Sequence, residues 1–307
     1  MFARFALAAL VTLTLGATRP AGPVANAAQR FPASDLAAAC KGKDGWTDPA
    51  PPAQVFGNTW YVGTCGITVL LVTTPSGHVL IDGGMPDAAP LVAASIARLG
   101  FSIGDVRWII HSHEHFDHVG DLAELKRLSG AKVAALAPAA AVLSSGRPAP
   151  DDPQFDLLAA RPMAPVAVDR VLRSGDTLAL GGTVLTARAT LAHSPGSTSW
   201  TWKSCEGRVC RTMTYADSTS TISAESYRFL DHPQRIAAVR SGLAAVGTLP
   251  CGILMTPHPS ASDLFGRFAS GKLNDARACS AYARAATIRF EARLAAERTT
   301  PSVKAEQ

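Results

Sequence analysis

Short apolar stretches, broken by Gly, Pro, Asn, Asp and Ser, run along most of the chain and set its expected elements. Residues 59–62, 67–73 and 79–81 are β-branched and aromatic runs that predict strands, with Ser76-Gly77 as a turn between the last two. Residues 86–99 carry Leu91, Val92, Ile96 and Leu99 on one helical face, and Gly100 follows as a C-cap. The run 106–110 (VRWII) predicts a strand, followed by a helix over 119–128, a strand over 132–136 and a short helix near 139–143. Residues 146–166 hold five prolines, the adjacent acids Asp151 and Asp152, and no period, which predicts a loop. A loop that long in a compact domain is more often functional than idle.

The second half follows the same recipe. Residues 177–180 and 184–189 form a hairpin on Gly181-Gly182, and strands are expected over 198–204 and 212–216. A helix over 232–246, a strand over 252–256 and a long helix near 275–296 complete the pattern. Strands mixed with covering helices in two similar halves predict an α/β sandwich, with helices outside two central sheets. Ligands should gather at strand ends where the halves meet.

Residues 1–27 break that pattern. A short positive start (Met1 to Arg4), an apolar stretch (5–16) and small residues at Ala25 and Ala27 predict a cleaved signal peptide. The stretch is too short for the roughly 20 apolar residues of a membrane span. Export to a periplasm or the medium is expected, with no membrane anchor, leaving residues 28–307, a length that suits one large domain or two tightly fused halves, with an N-terminal arm. Cleavage would remove Arg4 and Arg19, taking the net charge from +5 to +3. That charge is not clustered, and no nucleic-acid partner is expected.

Six cysteines in an exported chain read as disulfides. Six allow 15 pairings. Proximity in the chain suggests Cys40 with Cys65, Cys205 with Cys210, and Cys251 with Cys279. No CxxC pair argues for thiolate metal ligands.

The chemistry concentrates at His111-Ser112-His113-Glu114-His115-Phe116-Asp117-His118. Four of the chain's eight histidines and an aspartate fall within these eight positions, directly after the 106–110 strand. Imidazoles and a carboxylate without thiolates, at tighter spacing than a structural finger, point toward catalytic zinc. Three later turns, each leaving a strand, carry compatible groups: His193 in LAHSPGST, Asp217 and Ser218 in YADSTS, and His258 in TPHPSAS.

Taken in order, His113, His115, Asp117, His118, His193 and His258 resemble the metallo-β-lactamase superfamily. The YADSTS and TPHPSAS turns, the Glu-Gly turn between Cys205 and Cys210, and the absence of a liganding cysteine make the chain similar to class B β-lactamases of the third subclass, B3. The likeness spans about residues 46–279. It implies a four-layer αββα sandwich, two mixed central sheets with helices on both outer faces. It implies two zinc ions per chain, one held by His113, His115 and His193, the other by Asp117, His118 and His258. A zinc-bound hydroxide would open the β-lactam amide of penicillins, cephalosporins and carbapenems, conferring antibiotic resistance. Asp117 would also orient or accept a proton, and Ser218 and Ser220 match the family's contacts to the substrate carboxylate. A small-molecule β-lactam is thus the expected partner, the chain a periplasmic monomer.

Several residues carry a different reading. Ala192 stands where the family commonly has Gly before its histidine, which predicts a slightly re-angled turn. His111 reads as a strand-end residue or a donor to a ligand, His78 and His232 as surface or helix-start residues, and Trp200 and Trp202 as packing. Asp217 reads as a turn or supporting residue, with a metal-bridging role left open, and Asp82 as an orienting group. The competing functions are a lactonase or glyoxalase-type thioesterase on the same fold, and an extracytoplasmic zinc-binding protein without catalysis.

Overall fold

A computed structural model describes residues 31–299; the expected signal peptide lies outside the described residues. In chain order the elements are α1 (Ala33–Ala39), β1 (Ala53–Phe56), β2 (Thr59–Tyr61), β3 (Leu70–Thr74), β4 (Gly77–Ile81), α2 (Ala89–Arg98), β5 (Val106–Ile110), α3 (Phe116–Val119) and α4 (Leu122–Ser129). Next come β6 (Lys132–Leu136), α5 (Ala137–Ser145), α6 (Phe155–Ala159), β7 (Arg170–Leu172), β8 (Thr177–Leu180), β9 (Thr183–Ala189), β10 (Thr198–Glu206) and β11 (Val209–Tyr215). The last are α7 (Pro233–Gly247), β12 (Ile253–Met255), α8 (Leu264–Ser270) and α9 (Ala278–Thr299).

These strands form two mixed sheets. One runs β1-β2-β3-β4-β5-β6-β7 and the other β12-β11-β10-β9-β8. The alternation of side chains across each strand sorts the apolar residues into layers. Leu70, Val72, Val79 and Ile81 face inward and meet Trp200, Trp202, Met213 and Tyr215 of the second sheet. The residues between them, Leu71 and Leu80, turn outward against Val92 and Ile96 of α2 and Leu122 and Leu125 of α4. On the opposite face Ala192 packs against α7 and α9 through Val239, Leu243, Phe290 and Leu294. This is the expected four-layer sandwich, and both tryptophans pack as expected.

Strand direction decides where the site forms. β4, β5, β6 and β7 are mutually parallel. β10 is antiparallel to β9 and β11, and β11 is parallel to β12, so β9, β11 and β12 share one direction. The C-terminal ends of β4, β5, β9, β11 and β12 release Asp82, the histidine octapeptide, His193, Asp217 and His258. Crevices beyond the carboxyl ends of strands are where open α/β sheets take ligands.

Three disulfides join the suggested partners: Cys40–Cys65, Cys205–Cys210 and Cys251–Cys279. The second links directly opposed residues of β10 and β11.

Some elements depart from expectation. The predicted 119–128 helix is two, α3 and α4: Gly120 N bonds Gly84 O at 3.1 Å instead of continuing α3, and α4 begins at Leu122. The 146–166 segment holds the one-turn helix α6. Helices α1 and α8 and strands β1 and β7 carried no periodic signal, each being seven residues or fewer. His78 is not at the surface: its side chain is buried edge-on to Phe101 with ring centroids 5.1 Å apart, and burial lowers its pKa. His232 does stand at the start of α7, as expected.

Candidate metal centre

Strand β5 ends at Ile110 and the chain then enters α3, whose N-cap is His115. This extended-to-helical switch spreads four side chains over one small volume. His113 and His115 leave an extended segment, while Asp117 and His118 sit on consecutive positions of the helical turn. The donor atoms of His113, His115 and His193 all lie within 4.8 Å of one another, as do those of His113, Asp117 and His118.

The closest contacts form two sets. His193 Nε2 is 3.1 Å from His115 Nδ1. His113 Nε2 is buried without a hydrogen-bond partner among the described residues. In the other set, His118 Nε2 is 3.1 Å from Asp117 Oδ2 and 3.4 Å from His258 Nε2. His258 Nε2 is 3.3 Å from Asp117 Oδ2, which closes the triangle. His258 is thus brought to the two residues with which it was expected, although it is the most open of the three at 26% side-chain exposure.

Each histidine of these sets is also met from its far side. His113 Nδ1 is 2.8 Å from Asp217 Oδ1, and His115 Nε2 is 2.9 Å from Asp152 Oδ2. His193 Nδ1 meets the Ser220 carbonyl at 2.9 Å, and His258 Nδ1 the Gly66 carbonyl at 3.1 Å. His118 Nδ1 lies 3.4 Å from Asp82 Oδ2, close enough for an ion pair though not aligned as a hydrogen bond. An acceptor on one nitrogen places the proton there and turns the other nitrogen's lone pair into the cluster.

Asp82 organises this from the end of β4. It sits at φ 66°, a left-handed conformation that aspartate tolerates better than most residues. Its carboxylate accepts from Ser112 N at 2.6 Å, Ser112 Oγ at 2.8 Å and Tyr215 Oη at 2.6 Å. Glu114 performs a parallel task. It accepts from Gly196 N and Ser194 Oγ, both at 2.8 Å, and so ties the octapeptide to the His193 turn.

The electrostatics call for cations. Asp82, Asp117 and Asp152 are all at most 5% exposed. Among the described residues no lysine or arginine is ion-paired to any of them; only imidazoles are. Buried charge of one sign is costly unless paired or bound to metal. Burial opposes charge on His118, but Asp117 and Asp82 outweigh it and raise its pKa to about 10. Asp117 is held well below the usual carboxylate range by His118 and His258 against the pull of burial. Burial, then the neighbouring imidazoles, pushes His113 well down, and burial with His115 takes His193 down to about 3. Those two rings are neutral, the form that coordinates metal.

Comparison with known proteins agrees with this geometry. A model of the metallo-beta-lactamase superfamily matches residues 62–206. The solved metallo-β-lactamase MIM-1 from Novosphingobium pentaromativorans is 57% identical, with a TM-score of 0.84, over 86% of this chain and 98% of that one. The chain belongs to the metallo-β-lactamase superfamily. MEM-A1, a subclass B3 metallo-β-lactamase isolated from a soil metagenome library, is 42% identical with a TM-score of 0.79, over 83% of this chain and 99% of that one. The resemblance to subclass B3 is borne out by these neighbours. A hydroxyacylglutathione hydrolase of Rhodopseudomonas palustris (strain BisB18) is 34% identical over 113 residues, 37% of this chain. The chain spans only a quarter to a third of the length of the curated relatives it matches, 32% in that case.

The donors fit the divalent metal of a metallo-β-lactamase, and zinc in particular. Four ligands at ~2.0–2.1 Å in a tetrahedron stand about 3.3 Å apart. The observed spacings of 3.1–3.4 Å have that size. The all-nitrogen set and the Asp-His-His set are both of a type zinc accepts.

Other residues fall into place around the centre. Asp217 has one oxygen on the outer nitrogen of His113, so it supports that ring from behind, and its other oxygen has no hydrogen-bond partner among the described residues. Burial lifts its pKa to about 8. Ser218 Oγ and Ser220 Oγ are 3.2 Å apart, and Ser220 Oγ is also 3.0 Å from His193 Nδ1. Ala192 takes no positive φ, so its turn does not need glycine and is not re-angled on that account. His111 is 1% exposed with both ring nitrogens unpartnered among the described residues, and burial drops its pKa to about 4. It stands at the strand end, outside both donor sets, and its carbonyl accepts from Trp200 Nε1.

Asp152 is the functional residue that sequence reasoning passed over. It was visible only as one of two adjacent acids in an aperiodic loop. Its fold position is set by Asp152 N bonding Ala149 O at 3.0 Å and Gln154 N bonding its Oδ1 at 2.7 Å, a tight local turn.

Proposed function

We propose that this chain is an exported zinc hydrolase that opens the amide bond of β-lactam antibiotics: penicillins, cephalosporins and carbapenems. Two zinc ions per chain are assigned, one to His113, His115 and His193 and one to Asp117, His118 and His258. The observation that carries the reading is the convergence of these donors, with His113 within 4.8 Å of both groups and contacts of 3.1–3.4 Å between His115 and His193 and among Asp117, His118 and His258, in a chain 57% identical to a metallo-β-lactamase over 86% of its length.

Bound zinc supplies a Lewis acid and lowers the pKa of water from ~16 toward ~7, giving a nucleophile at neutral pH. The chain's own residues do the rest. Asp117, ionised at neutral pH, orients the attacking water through its carboxylate and can take up a proton during ring opening. Ser218 and Ser220 offer hydroxyls to the substrate carboxylate, spaced 3.2 Å apart beside the His193 ring. They supply hydrogen bonds where a cation would otherwise be needed. Carbonyl and carboxylate partners behind the five imidazoles keep the rings from turning, so the centre is preorganised before substrate arrives.

Export to the periplasm, through the 1–27 segment, and action as a monomer complete the proposal. Among the described residues no helix is long and apolar enough to cross a membrane.

Thioester hydrolysis is the second reading, suggested by the partial likeness to a hydroxyacylglutathione hydrolase. Asp217 does not favour it, since its Oδ1 lies 2.8 Å from the outer nitrogen of His113, while its Oδ2 has no hydrogen-bond partner among the described residues. Turnover of nitrocefin and of a glutathione thioester by the same zinc-loaded sample separates the two. Faster kcat/KM for nitrocefin is expected; a thioester preference would reverse the assignment.

A further inference from the structure

Behind the metal centre lies a cavity of about 650 Å³ that the hydrolysis does not use. Its walls are α5 (Val142), the loop after it (Pro150), the turn that holds His193 (Leu191 and Pro195) and the start of α7 (His232 and Arg235). We propose that this cavity is a second binding site, for a small aromatic molecule carrying an anionic group, and that its occupancy is coupled to the metal centre.

Shape and charge both select that class. The volume falls within the few hundred to one thousand Å³ typical of small-molecule sites. Most of the wall is aliphatic or proline. One side is flat, because Tyr227 and His232 stack in parallel at 4.3 Å with only 7° between their planes. Cationic character comes from Arg147 and from Arg235, which is 8% exposed. Among the described residues the Arg235 guanidinium has no carboxylate partner, and its Nε has no hydrogen-bond partner. The N-terminus of the 15-residue α7 opens onto the same space; Pro233 has no N–H to offer, and the next amide, Gln234 N, has no acceptor among the described residues. One acid, Asp151, also lines the wall and limits the charge the site will take.

The coupling is built from two contacts. Arg235 donates to Leu191 O and Ala192 O, both at 3.1 Å, so it grips the turn immediately before His193. On the other wall, Pro148 and Ala149 separate the cavity from the packed space beside His115, and three residues on Asp152 bonds that ring. A ligand drawing on Arg235 or pressing on the 148–151 segment therefore acts on two of the three histidines assigned to one zinc. The inference stands on the cavity and holds whichever substrate the centre cleaves.

The test uses zinc-loaded protein and the fluorescent aromatic sulfonate 8-anilinonaphthalene-1-sulfonate as probe. Saturable binding of about one probe per chain is expected, weakened about tenfold or more by Ala238→Trp, which fills the cavity from α7. Arg147→Glu, at an exposed position, should weaken it without threatening the fold. The probe should also change the rate at which zinc passes to an external chelator, and Ala238→Trp should remove that change. Probe affinity equal in the wild type and both variants would place the probe elsewhere and overturn the site. A chelation rate unmoved by saturating probe would overturn the coupling.

Discussion

Asp152 Oδ2 lies 2.9 Å from His115 Nε2, on the opposite side of the imidazole from the nitrogen that meets His193. A carboxylate in that place fixes the ring's tautomer and its direction, and raises the basicity of the nitrogen turned to the metal. The contact also means that a loop without regular pattern participates in the centre through one buried side chain.

Replacing Asp152 with Ala is therefore expected to weaken zinc retention at the His113-His115-His193 set by about 10–100-fold. Competition with a chromophoric chelator measures this without reference to turnover. Asp152→Asn, which still accepts a hydrogen bond but lacks the charge, should recover part of the loss. Retention equal to wild type in both variants would leave the carboxylate without a role.

His118→Ala or His258→Ala should empty the second set alone, because neither residue takes part in the closest contacts of the first. Bound zinc is expected to drop from two to about one per chain, read by metal analysis after dialysis. Unchanged stoichiometry would reject the division of ligands.

The pH dependence of zinc binding follows from His118, whose pKa is raised to about 10 in the metal-free chain. Its proton stabilises the metal-free fold fully below the ordinary histidine value of ~6.5, and that contribution is lost as pH rises through the raised value. Zinc must displace this proton, so affinity should climb with pH, by about tenfold per unit for one proton released. Asp117 is already ionised and adds no proton of its own. Calorimetry in buffers of different ionisation enthalpy counts the protons; release of none would contradict the charge state given to His118.

The octapeptide was legible because histidine is rare in this chain, and four of its eight histidines crowd with an aspartate into eight positions, four of those five residues standing in the donor sets. His193 and His258 were legible only through their family turns, since a single histidine leaving a strand has the same local signal whether it binds metal or water. Most of the sandwich was legible too, because inner strands such as β2, β4 and β12, buried on both faces, read as short continuous apolar runs bounded by turn residues. What escaped lacked a pattern by nature. Asp151 and Asp152 are neighbours of identical type, yet one is exposed and the other 2% exposed against His115. His78 follows a glycine in a tight hairpin, the usual setting of a surface residue, and only the distant Phe101 draws it inward.

Glu114 offers a stability test separate from metal. Glu114→Ala would strand the Gly196 amide and the Ser194 hydroxyl in a buried site, at about 1–3 kcal/mol for each unsatisfied group. Chemical denaturation of the metal-free protein should show a loss of about 3 kcal/mol. A change under ~0.5 kcal/mol would mean that the two turns are held together by other contacts.

The most direct measurement is nitrocefin hydrolysis by the purified chain before chelation, after EDTA, and after zinc is returned. Rapid ring opening, its abolition by EDTA and its recovery with zinc are the expected results. An intact nitrocefin and carbapenem in the presence of fully zinc-loaded protein, or activity indifferent to chelation, would contradict a zinc-dependent β-lactamase.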